Sequence, residues 1–143
     1  MITIRVAGVP APQGSKRHVG GGRMVESSRA VGPWREAVRA ETQRVIEATA
    51  DPHYLAPFGV QVTVKFTLPR PQGHYGTGSH ATTIRPSAPR WPHRKPDLDK
   101  LIRAVLDGIT QGGAIADDAQ VVRIAAQKTY GTPGAVITIE ELT

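Results

Sequence analysis

The sequence predicts an α+β domain in which helices cover one face of a mixed β-sheet, and three observations carry that prediction. Some stretches alternate apolar and polar residues with the period of a strand. Others repeat apolar residues with the period of a helix. The elements follow the order strand, helix, strand, helix, strand, strand, without internal repeat. With 143 residues, 39% hydrophobic and 21% charged, the chain is long enough for one hydrophobic core and reads as a single domain, 1–143. The sheet is expected to hold about four strands, with two main helices against one face.

Residues 2–6 set Ile2, Ile4 and Val6 against Thr3 and Arg5, the pattern of a half-buried strand. Residues 8–23 hold two prolines and five glycines, so no regular structure is expected there, and Lys16, Arg17 and Arg23 make the segment basic. A helix is predicted from about residue 28, firmly from Pro33, to about 49, with Trp34, Ala37, Val38, Val45 and Ala48 on one face. Val60–Leu68 is the cleanest strand, its valines and Phe66 alternating with Gln61, Thr63, Lys65 and Thr67. Residues 69–96 carry half of the chain's twelve prolines and no hydrophobic period, which predicts a long functional or mobile loop. Leu98, Leu101, Ile102, Val105, Leu106 and Ile109 then recur at helical spacing until Gly112-Gly113. Val121–Tyr130 and residues 135–140 read as strands joined by Gly131-Thr132-Pro133-Gly134, and a hairpin is expected.

Charge narrows the function. Eighteen basic against twelve acidic residues give +6 and favour a polyanionic partner. Between Asp51 and Asp97 there is no acidic residue, and the interval closes on Arg90-Trp91-Pro92-His93-Arg94-Lys95-Pro96. A lone charge run is usually a solvated surface. This one combines cations with an aromatic ring and stops at a pair of aspartates, which favours contact with phosphates and exposed bases. The absence of cysteine excludes disulfides, thiolate nucleophiles and cysteine zinc sites. No apolar run is long enough to span a membrane and no signal peptide is read, so a cytoplasmic protein is expected.

Asp97 and Asp99 stand two residues apart where the strong helix begins, and Asp117-Asp118 follow at a turn into a strand. Each pair alone has an ordinary explanation. Asp97 is a good N-cap, Asp99 complements the helix dipole, and Asp117-Asp118 can shape a turn. Together, and with a basic flank to bring phosphate, they favour a metal site: if the strand lies beside the helix, Asp118 can join Asp97 and Asp99. All-oxygen donors that leave room for water suit Mg²⁺, which can activate water for phosphodiester hydrolysis. On the polar stripe Asp99, Arg103, Asp107, ordinary helix-surface pairing and contact of Arg103 with a scissile phosphate weigh equally. Three other patterns are set aside. Gly8 to Lys16 has the wrong glycine spacing for a phosphate-binding loop, the histidines form no helical zinc pair, and Ser27-Ser28 lacks the context of a nucleophile.

The run Asp97-Leu98-Asp99-Lys100-Leu101, the helix end Asp107-Gly108-Ile109-Thr110 and the entry Asp117-Asp118-Ala119-Gln120-Val121-Val122 resemble the signature of RusA-type Holliday-junction resolvases. Pro12-Gln13-Gly14-Ser15-Lys16 resembles the loop after the first strand in phage-borne members. The resemblance implies a homodimeric, Mg²⁺-dependent endodeoxyribonuclease (Mn²⁺ a possible substitute) that nicks four-way or branched DNA in pairs. It implies metal-binding carboxylates at Asp97, Asp99 and Asp118, with Asp117 structural. The family's functional lysine falls on Arg103, which keeps the charge but cannot give up a proton at ordinary pH. The asparagine after the pair is replaced by Lys100. Nucleic-acid contacts are expected from Lys16, Arg17, Arg94, Lys95 and Lys100. The alternative is a non-catalytic module binding branched or single-stranded DNA, its aspartates serving as caps and turns.

Overall fold

The computed structural model describes residues 1–14, 29–51 and 54–143, and the backbone of 16–18 and 24–26. Strand β1 (Ile2–Ala7) is followed by two short strands, β2 (Lys16–His18) and β3 (Met24–Glu26), paired antiparallel with Lys16 opposite Glu26. The glycine-rich segment therefore holds a small ribbon where no regular structure was expected. Helix α1 spans Val31–Glu47, β4 spans Val60–Leu68 and α2 spans Leu98–Gln111. Strands β5 (Val121–Tyr130) and β6 (Gly134–Glu141) complete the order. The main sheet reads β1-β6-β4-β5, with β4 and β5 parallel and the other pairs antiparallel, which is the mixed four-stranded sheet expected.

Register explains the core. Ile4, Ile137, Val64 and Ala126 lie side by side across the four strands, as do Ile2, Ile139, Val62 and Ile124. Because successive residues face opposite sides of a sheet, these rows share one face. Both helices cover that face, while Thr3, Arg5, Thr63 and Lys65 stay exposed on the other.

The expected hairpin is not formed. β5 and β6 are separated by β4, which pairs with both. The turn between them straddles the end of β4, where Gly131 N–H donates to Leu68 O at 3.0 Å. Two inter-strand spacings come to roughly 10 Å. Four Cα steps at about 3.3 Å each reach that far, so a short turn does not require adjacent strands.

Helix α1 buries Val31, Trp34, Val38, Thr42 and Ile46, while Ala48 lies exposed at its end. Thr42, polar inside the core, donates its hydroxyl to Val38 O at 2.7 Å. The two helices cross closely because α2 presents Gly108 and Gly112 to them. A methyl at Gly108 would lie 2.5 Å from Val38 Cγ1, and one at Gly112 would lie 2.6 Å from Thr42 Cβ. Gly112 has ordinary helical angles, so its role is close approach, whereas Gly113 at φ +91 supplies the left-handed residue that ends the helix. Residues 69–96 are not a featureless loop. They fold on 3₁₀ turns at Gln72–His74 and Gly78–His80 and on a bridge between Tyr75 and Ile84.

Candidate active site at the start of helix α2

Two segments dock at the entry to α2. Gln13 N–H donates to Lys100 O at 3.0 Å, and its side chain accepts from Arg35 at 3.0 Å, so the loop after β1 docks there. Lys128, from the core-facing row of β5, donates through Nζ to Arg94 O and Pro96 O, both at 2.9 Å. It thereby anchors the chain just before Asp97. The sequence names Gln13 only within the loop motif of residues 12–16 and does not single out Lys128, because neither contact has a local signature.

Asp97 occupies the N-cap position with extended backbone angles, yet its side chain makes no capping bond. Its carboxylate faces Lys100 Nζ at 3.6 Å, a half-exposed pair of small energetic weight. Asp99, one turn below Arg103, is exposed, as is Arg103 itself. The stripe Asp99, Arg103, Asp107 forms no ion pair; those among the described residues are Arg39–Glu36, Arg44–Glu41 and Lys100–Asp97. Among the described residues Arg103 is thus without a carboxylate partner within 4.0 Å. Arg94 and Lys95 are exposed beside the aspartates and Lys100 is half-buried, while the side chains of Lys16 and Arg17 lie outside the described residues.

The other acidic pair divides its roles. Asp117 caps a 3₁₀ turn (Asp118–Gln120), accepting from Ala119 N–H at 2.7 Å in a capping box with Gln120. Gln120 is the hub of this corner. Its Oε1 accepts from Ala116 N–H at 2.7 Å, and its Nε2 donates to Ala56 O and Phe58 O at 2.7 and 2.9 Å. Asp118 Oδ1 accepts from Thr110 Oγ1 at 2.9 Å. The same hydroxyl lies 2.8 Å from Leu106 O, so its single proton is shared.

That contact locates Asp118 at the far end of α2. Thr110 is eleven residues beyond Asp99, about 16 Å along a helix rising 1.5 Å per residue. The strand does lie beside the helix, as the sequence reading supposed, but it runs the opposite way. Its start, with Asp118, is level with the last turn of α2, and its end, with Lys128, is level with the first. Within one chain Asp118 does not join Asp97 and Asp99, and among the described residues no three His, Asp or Glu side chains cluster closely enough for a metal ion.

Two exposed carboxylates thus stand at this helix start, flanked by cations and by a segment without acidic residues. The chain belongs to the RusA endodeoxyribonuclease family, whose model, described as Endodeoxyribonuclease RusA, matches residues 6–140. It is therefore a metal-dependent endonuclease of the Holliday-junction-resolving class, and the non-catalytic alternative is set aside. No curated protein matches the chain. No helix among the described residues is long and apolar enough to cross a membrane.

Proposed function

We propose that this endonuclease resolves four-way junctions by paired hydrolysis as a two-fold dimer, with Asp97 and Asp99 of one copy and Asp118 of the other forming each site. The observation that carries this reading is the helix-length separation of Asp118 from the other two carboxylates. Two copies of α2 packed antiparallel about a two-fold axis bring the start of one helix to the end of the other.

The surface along that helix supports such packing. Leu98, Ile102 and Leu106 are only partly buried, Val122 and Ile124 on the neighbouring edge strand are 65% and 41% exposed, and β5 pairs with β4 alone. An exposed apolar strand edge is a template for a second chain.

The donor set is all carboxylate oxygen, which fits Mg²⁺, or Mn²⁺ in its place. When bound, the ion supplies positive charge that polarises the phosphodiester and makes a water nucleophilic. Arg103 holds a permanent charge against the scissile phosphate and does not deliver a proton. Lys16, Arg17, Arg94, Lys95 and Lys100 grip the backbone, so binding weakens with salt. A junction has approximate two-fold symmetry, and the dimer matches it with two sites on opposed strands.

The test mixes two inactive proteins on a labelled four-way junction in Mg²⁺. Asp97→Asn and Asp118→Asn are each expected to be inactive alone. A mixed dimer keeps one intact site, so nicking of one strand per junction returns. Two variants that stay inactive on mixing, while exchange of subunits is demonstrated, would sink the shared site. Active single variants would remove these aspartates from the chemistry.

A further inference from the structure

A cavity of about 230 Å³ lies where the ends of β4 and β5 meet the chain that leads into α2. Pro10, Pro71, Pro89, His74 and Tyr130 contribute to its lining, together with Arg94, Lys95 and Pro96, and no carboxylate lines it. At roughly 30 Å³ per water this is room for about eight waters. Pockets for drug-sized ligands begin at ~300 Å³, so the space suits a single ring system better than a large cofactor.

The aromatic wall is held by contacts on several sides. The Arg70 guanidinium lies 4.4 Å from the Tyr130 ring centre, and the His74 ring meets Tyr130 edge-on at 5.4 Å and 88°. Arg70 Nη1 donates to Pro89 O at 2.8 Å and contacts His74 Nδ1 at 3.2 Å. A guanidinium has no acceptor, so in this contact Arg70 donates and His74 Nδ1 accepts. The cavity is thus lined by proline and aromatic rings together with two cations. Lys128 bonds the carbonyls of Arg94 and Pro96, so this wall and Asp97, the next residue, share one anchor.

We infer that this cavity is a subsite for one unstacked nucleobase of the bound DNA, with Arg94 and Lys95 on the adjoining phosphates. The inference rests on the nuclease reading above and adds to it a second point of attachment beside the scissile position. Planar walls accept any base face, cations meet its phosphate, and the absence of carboxylates removes repulsion. Bases at a branch point cost least to extrude, because their stacking is already interrupted. Filling the cavity therefore couples recognition of an opened branch to placement of the strand at Asp97 and Asp99.

The test follows the ring resonances of Tyr130 and His74 by NMR in metal-free wild-type protein, where no cleavage occurs. One titration uses a single-stranded DNA pentamer, the other an abasic pentamer with the same phosphates. The pentamer with bases is expected to shift both rings, and the abasic one to leave them unmoved. Val9→Trp, built from an exposed wall residue (57% exposed), fills the cavity and is expected to abolish the ring shifts and weaken pentamer binding about tenfold. His93→Trp serves the same purpose if Val9→Trp unfolds. Equal shifts with both oligomers mean phosphate contact alone, and unmoved rings mean no occupancy; either overturns the inference. Junction cleavage is scored separately, so failure there would overturn the nuclease reading without deciding this one.

Discussion

The two ends of α2 each carry a pair of neighbouring aspartates, and the pairs behave differently. At the C-terminal end Asp117 caps a turn and Asp118 accepts from Thr110, so both carboxylates are engaged. At the N-terminal end Asp97 sits where a cap belongs and does not cap, meeting only Lys100 Nζ at 3.6 Å, and Asp99 has no ion pair. A residue that occupies a stabilising position without making the stabilising bond is available for something else. At one end Asp117 is committed to a cap, while at the other neither aspartate makes one.

Exchanging the two N-cap positions gives the largest expected contrast. Asp97→Asn should lower junction cleavage roughly 10²–10³-fold, the range for losing one electrostatic group at a reacting centre, with the melting temperature unchanged. Asp117→Ala should do the reverse, lowering stability by about 0.5–2 kcal/mol through the lost cap. Calorimetry beside a cleavage assay reads both, and a destabilised Asp97→Asn would erase the distinction between the ends.

The contrast also needs a rigid rod between the ends. Gly108→Ala pushes a methyl into Val38, and overpacking of this kind costs about 1–3 kcal/mol, measurable by urea denaturation. An unchanged midpoint would mean that the helix crossing gives way. Lys128→Met should be milder on stability while freeing the carbonyls of Arg94 and Pro96. Faster amide exchange at residues 94–97 is expected, with cleavage about tenfold slower. Normal exchange there would show that the open end does not depend on Lys128.

The smallest effect is far from both ends. Burial, and then the hydrogen bond to Glu141 at 2.6 Å, push the Tyr54 phenol above its ordinary range. The bonded neutral form is favoured, so its contribution is complete below the unfolded pKa of about 10 and is lost as pH rises through the higher folded value. Tyr54→Phe should thus cost about 1 kcal/mol at neutral pH, and the gap should narrow in strong alkali. A gap that does not vary with pH would assign the effect to packing.

Much of this was legible from the chain alone. Strands Val60–Leu68 and Val121–Tyr130 and the helix from Leu98 were read with their bounds, because alternation and helical periodicity are local. The β5–β6 pairing was misread because a short turn is silent about what stands between its strands. Gly112 does end the helix as its sequence position predicts, but that position is silent about its close approach to α1, which Gly108, quoted only within the family signature, shares. The distance between Asp118 and Asp99 follows from strand direction, which no spacing of residues along a sequence encodes.

The insertion of β6 between β1 and β4 has a consequence for biosynthesis. During translation β1, β4 and β5 emerge before residues 134–141, and until those arrive the first strand has no neighbour and β4 is bare on one side. The strand that unites this sheet is made after the three it joins, so co-translational assembly of the sheet waits for residues 134–141. The nascent protein must be kept from pairing with other chains throughout that interval.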